Sequence, residues 1–461
     1  MVSTDYPDQG ENCVDFLRED IGKLFKVYLR ASILSAMMTS IYSFVDSIAV
    51  GQSTGPTGTA VIAIVNPLYG LTAFLGLFCG IGGSVLMTSA KTRGDEKRGN
   101  QYFTSTLILS AIFIAILWAV FLLFPKQLFT FFGADESTLP YVKQYAALVI
   151  AFLPMFVLPL SIAAFVRNDG APGVAMASVI VGGCLNMFGD WFFVFPLGMG
   201  LRGAALATVL GYSTQTVIVC SYLFRKDCRL KLCRPDHMWK DFRQICSAGI
   251  GSGLPDLGNV VTLIIMNNQL MRYSGSDALA VYGAVGTIMA LFQSMFSGVG
   301  QAIQPLVSAN YAAQQKDRIN QVMRLAFRTA GAMGVVFFAL GELFPRQITN
   351  LFIDATPEVL EIAPTIIRWF FPVFLTMWIN VVAIYYLQSV RKDRAAMMVG
   401  LGRSLLVSAA FLLVLPLFWG LIGVLVAMPL SELVVAVCAL LYMKRIQPAL
   451  YRNQDPDAWA L

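Results

Sequence analysis

Four side chains that carry oxygen ligands lie inside otherwise apolar stretches of the sequence. Asp46 lies in the first of these stretches and Thr208 in the sixth, whereas Asn186 and Asp190 share the fifth. Because Asn186 and Asp190 are four residues apart, they project from one face of a helix. Two carboxylates, an amide and a hydroxyl offer only hard oxygen ligands, which suit a small hard cation or a proton. The sequence therefore predicts a buried cation or proton site at these four residues.

Three of these four residues also have a purely structural interpretation. Asp46 is followed by Gly51, so its carboxylate could lie near a helix end and reach water, and Asp190 could do the same. Thr208 ends the run Ala-Ala-Leu-Ala-Thr, whose small residues would allow two helices to pack closely. If the acids do share a dry site, burial and mutual repulsion disfavour two bare carboxylates. We then expect the pair to hold either a proton or a cation.

The elements that must position these residues are membrane-spanning helices. Of the 461 residues, 57% are hydrophobic and only 13% are charged, and the mean hydropathy is +0.67. A typical soluble domain has about 25% charged residues, so the composition excludes a soluble enzyme, a disordered chain and a nucleic-acid binder. Apolar stretches long enough to cross a bilayer predict an all-α membrane protein of twelve transmembrane helices. The predicted spans are 27–50, 58–88, 101–124, 140–165, 170–195, 203–224, 246–271, 278–308, 320–344, 362–389, 395–418 and 420–443.

The distribution of Lys and Arg predicts the orientation of these spans. Outside the spans, nearly all basic residues lie in the termini and alternate loops, while the opposite loops hold only Lys126, Arg202, Arg272 and Arg346. Positive residues favour the cytosolic side, so we expect a multi-pass plasma-membrane protein with both termini in the cytosol. The predicted organisation is a cytosolic tail (1–26), an N-lobe (27–224), a cytosolic linker (225–245), a C-lobe (246–443) and a second cytosolic tail (444–461).

The two halves of the chain repeat each other. Residues 123–127 read Leu-Phe-Pro-Lys-Gln and residues 343–347 read Leu-Phe-Pro-Arg-Gln. At the same offset, Phe-Pro-Leu at 195–197 recurs as Leu-Pro-Leu at 415–417. Because each half holds an even number of spans, both have the same orientation, which predicts pseudo-two-fold symmetry about an axis along the membrane normal. Such parallel repeats are a transporter design, whereas channels and membrane enzymes need no duplication.

Three stretches of the chain together are similar to the MATE (multidrug and toxic compound extrusion) transporters. They are Asp46 followed five residues later by Gly51, residues 185–190 with 198–208, and residues 300–311 followed by Asp317-Arg318. The resemblance covers nearly the whole chain. It implies a two-lobe antiporter that exports organic cations in exchange for Na⁺ or H⁺ by alternating access. It also implies no enzymatic activity, no cofactor beyond the coupling ion, and a single chain as the transport unit.

The resemblance further implies roles for individual residues. In many prokaryotic members, an N-lobe cation site uses an Asp of span 1, an Asn and an Asp of span 5, and a Thr of span 6. The matching residues here are Asp46, Asn186, Asp190 and Thr208. The repeat offset places Leu406, Ala410 and Met428 opposite the last three, so we expect one coupling site per chain. The chain departs from the family pattern in having no Pro in span 1 before the Asp.

Contacts to an organic substrate are expected on spans 7 and 8. A pocket for large organic cations requires aromatic faces, Met side chains and a few polar groups. The candidates are Met266, Asn267, Asn268, Met289, Gln293 and Gln304. The chain has 20 Met, so most Met side chains are expected to serve packing instead.

Three charged residues of the C-lobe have no assigned role from the sequence. Some members of the family bind their cation through acids in the C-lobe, for which Asp256 and Glu432 are the candidates here, but we expect both near helix ends, as interfacial charges or caps. Arg403, inside predicted span 11, needs either a backbone carbonyl as partner or a C-lobe cavity to line.

Three other classes of membrane protein compete with an antiporter. A lipid-linked oligosaccharide flippase of the same superfamily would be expected to have fourteen spans and several internal cations to hold a pyrophosphate. A membrane-embedded phosphoryl or prenyl transferase requires clustered Asp for Mg²⁺, and the only such pair, Asp5 and Asp8, lies in the N-terminal tail. A channel is disfavoured by the repeat and by the one-sided acid site.

The predicted orientation can be tested with a single Cys at position 233, within the basic linker, on a Cys-free background. We expect a membrane-impermeant thiol reagent to modify it only after the membrane is permeabilised, because the linker is predicted to face the cytosol. Modification from outside intact cells would contradict the predicted topology.

Overall fold

The computed structural model describes residues 18–226 and 228–450, which are largely helical. The acidic segment at 1–17, with Asp5 and Asp8, and the C-terminal residues 451–461 of the two predicted tails lie outside the described residues. The α-helices are α1 (Ile21–Thr92), α2 (Glu96–Leu123), α3 (Pro125–Phe131), α4 (Leu139–Ala151), α5 (Pro154–Asn168), α6 (Pro172–Gly189), α7 (Gly200–Ser221), α8 (Met238–Ala312), α9 (Lys316–Leu343), α10 (Pro345–Phe352), α11 (Pro357–Phe370), α12 (Phe374–Ser389), α13 (Asp393–Leu401), α14 (Val407–Val414) and α15 (Pro416–Leu450).

The described helices form twelve spans in two six-helix lobes, as predicted. Nine helical segments are long and apolar enough to cross a membrane, and the pair α4–α5, bent by 47°, makes a tenth span. Two of the nine, α1 and α8, are each two helices divided by a break, at Gly55 and at Gly275. Dividing α1 and α8 at these breaks raises the number of spans from ten to twelve.

Single glycines replace two of the loops that the sequence predicts. Loops are expected at 51–57 and 272–277, but α1 continues to Thr54 and resumes at Pro56. Gly55 has φ 63° and ψ −152°, and Gly275 has φ 75° and ψ −166°. Only glycine adopts this region without strain, and Pro56 is suited to the first turn of the helix that follows. One residue is therefore enough to end one span and begin the next.

The equivalent helices α1 and α8 pack against each other where the two lobes meet. A Cβ at Gly283 of α8 would lie 2.8 Å from the carbonyl oxygen of Thr59 on α1. Towards the other end, a Cβ at Gly82 would clash with the carbonyl oxygen of Ile245. Small residues allow close helix packing in a membrane, and here they bring the backbones of the two lobes into contact.

Amide side chains of one lobe cap a short helix of the other at one end of the molecule. On α8, Asn267 donates to the carbonyls of Ala63 (2.8 Å) and Phe132 (3.2 Å), and Asn268 donates to Phe131 (2.7 Å). Phe131 and Phe132 lie at the C-terminal end of α3. The last carbonyls of a helix lack partners within it, so these two amides satisfy groups that would otherwise be unpaired.

The other lobe makes the matching contact through the equivalent short helix, α10. Gln52 on α1 donates to the carbonyls of Asn350 (2.7 Å) and Leu351 (3.1 Å), and the backbone N–H of Asp354 donates to the carbonyl of Gly51 (3.0 Å). The helices α3 and α10 carry the repeated Pro-Lys-Gln and Pro-Arg-Gln sequences. We call these two sets of contacts the paired closure.

At the opposite end, the N-lobe holds the beginning of α8. Arg98 on α2 pairs with the fully buried Asp241 at 2.5 Å, and the hydroxyl of Ser105 donates to Asp241 at 2.9 Å. Gln101 donates to Asp236 at 2.7 Å. Because these contacts compensate the charge of Asp241 in the first turn, α8 begins at Met238 rather than at the predicted residue 246.

Candidate cation site

The structure brings together the four residues that the sequence analysis selected. The carboxyl groups of Asp46 and Asp190 face each other within hydrogen-bonding reach. Asp46, Asn186 and Thr208 line one cavity of about 240 Å³. Asp190 is fully buried, Asn186 is 5% exposed and Thr208 is 9% exposed. Residues from α1, α6, the turn that follows α6, and α7 therefore converge on one place inside the N-lobe.

Close packing between α6 and α7 positions Asn186 and Thr208. A Cβ at Gly211 would lie 2.9 Å from the Cβ of Asn186, and a Cβ at Gly189 would lie 2.9 Å from the Cβ of Ala207. The hydroxyl of Thr208 donates to the carbonyl of Ala204 at 3.0 Å. The small residues around Thr208 therefore do serve helix packing, and that packing also places Thr208 at the cavity.

A local widening of the helix positions Asp190. Residues Asp190–Val194 form a π-helical turn directly after α6. Such turns are rare in proteins, and those that do occur are often found at functional sites. Asp46 does not lie at a helix end, because α1 continues to Thr54. The interpretation that its carboxylate reaches water at a helix end is therefore not supported.

Several polar atoms of this site lack a partner among the described residues. They are Oδ1 of Asp46, both carboxylate oxygens of Asp190 and Nδ2 of Asn186, all buried. Buried polar groups are almost always hydrogen-bonded, and an unpaired buried charge is costly. Two carboxylates cannot donate to each other unless a proton lies between them. The arrangement therefore calls for a proton or a cation at the pair.

Aromatic and neutral polar side chains that the sequence did not indicate lie around the acids. Tyr69 shares a hydrogen bond of 3.0 Å with Tyr145, and the Tyr145 hydroxyl also reaches Thr208. Tyr69, Tyr212 and Asn66 line the cavity. A search for charges within spans passes over such residues, although an Asn-Pro pair followed by Tyr in an apolar stretch was a usable signal.

The cavity also reaches the C-lobe. Its wall includes Gly286, Thr287 and Ala290 of α8. Ser47, the neighbour of Asp46, shares a hydrogen bond of 2.9 Å with Thr287. Pockets for drug-sized ligands measure about 300–1,000 Å³, so a cavity of about 240 Å³ suits an ion with a few waters better than a drug.

None of the six predicted substrate residues lines this cavity. Asn267 and Asn268 make the paired closure described above, and Met266 is fully buried. Met289 packs against the main apolar core. Gln293 accepts a weak hydrogen bond from Arg403 (3.5 Å), and Gln304 donates to Gln388 (3.2 Å). The structure distributes these residues over several environments, and their contact with substrate stays a prediction.

The expected placement of the two C-lobe acids is wrong. Asp256 lies well inside α8, because that helix begins at Met238. Glu432 lies well inside α15, past the break at Gly420, and is 1% exposed. Arg403 pairs with Glu432 at 2.7 Å, so its partner is a carboxylate rather than the expected carbonyl or cavity.

Two like-oriented six-span lobes with a polar site inside one of them define a secondary transporter fold. A family model described as MatE matches residues 31–192 and again residues 257–414, once in each half. The chain belongs to the MatE family, which confirms the resemblance found in the sequence. Membership also confirms the prediction of a multi-pass membrane transporter rather than an enzyme, and the flippase alternative is not favoured.

Relatives and solved structures agree with this assignment over nearly the full length. The chain is 22% identical to the multidrug export protein MepA of Staphylococcus haemolyticus (strain JCSC1435), over 91% of this chain and 92% of the relative. A structure described as the inward-facing conformation of a multidrug resistance MATE family transporter has a TM-score of 0.79 at 20% identity and covers 92% of this chain and 99% of that chain. The corresponding outward-facing structure has a TM-score of 0.69 at 21% identity and covers 97% and 100%.

The contact between α6 and α7 can be tested with Gly211→Ala. We expect a destabilisation of about 1–3 kcal/mol, measured as a lower Tm of the purified protein, because the new methyl group would meet Asn186 and the carbonyl of Gly182. The matched control is Gly173→Ala on α6, where a Cβ meets only open space. Equal Tm values for the two variants would contradict the close contact.

Proposed function

We propose that this chain exports small organic cations from the cytosol through the plasma membrane in exchange for Na⁺ or H⁺, with both termini in the cytosol. The observation that carries the proposal is the carboxylate pair of Asp46 and Asp190 in the N-lobe, in which Oδ1 of Asp46 and both oxygens of Asp190 are buried without a partner among the described residues. The names of relatives such as the multidrug export protein MepA support drug-like substrates. We infer that the transport unit is one chain, because each chain contains both lobes.

The acid pair would act as a switch between two occupancies. A bound Na⁺ favours two ionised carboxylates, whereas a proton between them removes one charge and the affinity for the cation. The two occupancies exclude each other, so each can stabilise a different conformation of the lobes. Asn186 and Thr208 would supply neutral oxygens that tolerate either state.

Alternating access would work by making and breaking the paired closure. The positive-inside rule predicts that α3 and α10 lie on the outer side, and in that orientation the described arrangement would be closed to the outside. The higher TM-score with the inward-facing structure supports the same orientation. Ser47 joins Asp46 on α1 to Thr287 on α8, so occupancy of the acid pair has a direct contact through which to act on the other lobe.

The proposal is tested by Asp46→Asn and Asp190→Asn in export assays with ethidium in everted vesicles. We expect each substitution to abolish export driven by an imposed ΔpH or ΔpNa, because the charge that binds the coupling ion is lost. Asp256→Asn is the matched control, since it removes a carboxylate from a span of the other lobe, and it should retain substantial export. Dead Asp256→Asn together with active Asp46→Asn would overturn the assignment.

The identity of the coupling ion follows from Na⁺ binding to purified protein over roughly pH 5 to 8. Protons compete for the same carboxylates, so we expect Na⁺ affinity to fall as the pH decreases. Thr208→Ala removes one neutral ligand and should weaken affinity by about 10-fold, or 1.4 kcal/mol, at every pH. Na⁺ affinity that ignores pH would contradict a shared site, and absence of Na⁺ binding would assign coupling to protons alone.

A further inference from the structure

The C-lobe contains a buried ion pair between Arg403 and Glu432, in which protein groups donate hydrogen bonds to both carboxylate oxygens. Nη2 and Nε of Arg403 donate to the same oxygen of Glu432, at 2.7 and 2.9 Å. Nδ2 of Asn380 donates to the other oxygen of Glu432 at 2.5 Å. The side chains of Arg403 and Glu432 are 13% and 2% exposed. Both carboxylate oxygens therefore have protein donors, unlike those of Asp190.

Three spans meet at this pair. Arg403 lies on a π-helical turn, Gly402–Leu406, between α13 and α14, Glu432 lies on α15, and Asn380 lies on α12. The hydroxyl of Ser408 donates to the backbone carbonyl of Arg403, which a π-helical turn leaves without its usual partner. Ser408 also lies 2.9 Å from the hydroxyl of Ser431, the neighbour of Glu432. The backbone is thus fixed on both sides of the pair.

The internal repeat relates this pair to the N-lobe site. The offset that relates 123–127 to 343–347 places Glu432 opposite Tyr212, which lines the Asp46 cavity. The same offset places Arg403 opposite Gly183. Each lobe therefore has acid chemistry in a similar region. Among the described residues, Asp46 and Asp190 of the N-lobe pair with no Lys or Arg, whereas Glu432 of the C-lobe pairs with Arg403.

We propose that Arg403 is a tethered counter-cation, which occupies the place that a mobile cation or proton would take at Glu432 and so restricts ion coupling to the N-lobe. This inference rests on the proposed antiport. A guanidinium does not release its proton in a protein, and a covalently tethered partner competes at high effective concentration. Without Arg403, Glu432 would be a buried carboxylate that needs a proton or a cation.

The first test compares Arg403→Gln with the double variant Arg403→Gln/Glu432→Gln as purified proteins. Tm is measured over roughly pH 5 to 8, with NaCl or with choline chloride. We expect Arg403→Gln to gain stability as the pH decreases or as Na⁺ is added, because a ligand that binds the folded state stabilises it. The double variant lacks Glu432 and should gain only the stability that proton or Na⁺ binding at Asp46 and Asp190 adds. Their difference cancels the contribution of Asp46 and Asp190, which both proteins share.

Between the two ends of the pH range, the Tm of Arg403→Gln should change by more than about 3 °C beyond the change in Tm of the double variant. A pH and Na⁺ dependence of Arg403→Gln identical to that of the double variant would overturn the inference, because Glu432 would not have become a site.

Export by the double variant gives a second test that does not require Arg403→Gln to fold. We expect the double variant to retain export with an unchanged dependence on ΔpH and ΔpNa, because neither residue takes part in coupling. Loss of export in a folded double variant would overturn the inference. Asp46→Asn in the same background should be inactive, and if it exports, the proposed N-lobe site fails while the Tm result still decides the role of Arg403.

Discussion

A carboxylate within a membrane span must have a partner, and this requirement determines how both lobes are built. Burying an isolated charge is far more costly than burying a neutral polar group. In the C-lobe the partner is part of the chain, because Arg403 and Asn380 use both oxygens of Glu432. In the N-lobe the oxygens of Asp190 lack protein partners among the described residues. The proposed exchange of a proton and a cation would supply the partner that these oxygens lack.

The same requirement applies to backbone groups and explains the contacts between the lobes. Short helices such as α3 and α10 end with carbonyls that have no partner within the helix. Amides of the opposite lobe, Asn268 and Gln52, donate to these carbonyls. Hydrogen bonds of this kind add modest net stability because water can replace them. A closure built from them can open where water enters, whereas a buried ion pair such as that of Arg403 cannot open cheaply.

The sequence was sufficient for the features that depend on composition and local pattern. Hydropathy located the twelve spans, the recurrence of Leu-Phe-Pro revealed the duplication, and rare polar residues in apolar stretches gave Asp46 and Asp190. Features that depend on long-range packing were missed. The carbonyls of Ala63 and Phe132, to which Asn267 donates, belong to the other lobe, so no local pattern predicts these hydrogen bonds. The residues around Glu432 give no sign of a buried partner, because Arg403 lies on a different helical segment.

Duplication of a six-span unit produces two lobes that are equivalent in fold but need not be equivalent in charge. If both lobes held an acid pair without a protein partner, each pair would need a bound ion in every conformation. The occupancies of the two pairs would then both influence the conformation of the transporter. Arg403, which the repeat places opposite Gly183, avoids this situation because it gives Glu432 a covalently tethered cation. In the proposed antiport, the C-lobe would keep one charge state while the N-lobe pair exchanged a proton and a cation. The hydrogen bond between Ser47 and Thr287 joins the N-lobe, next to Asp46, to the C-lobe.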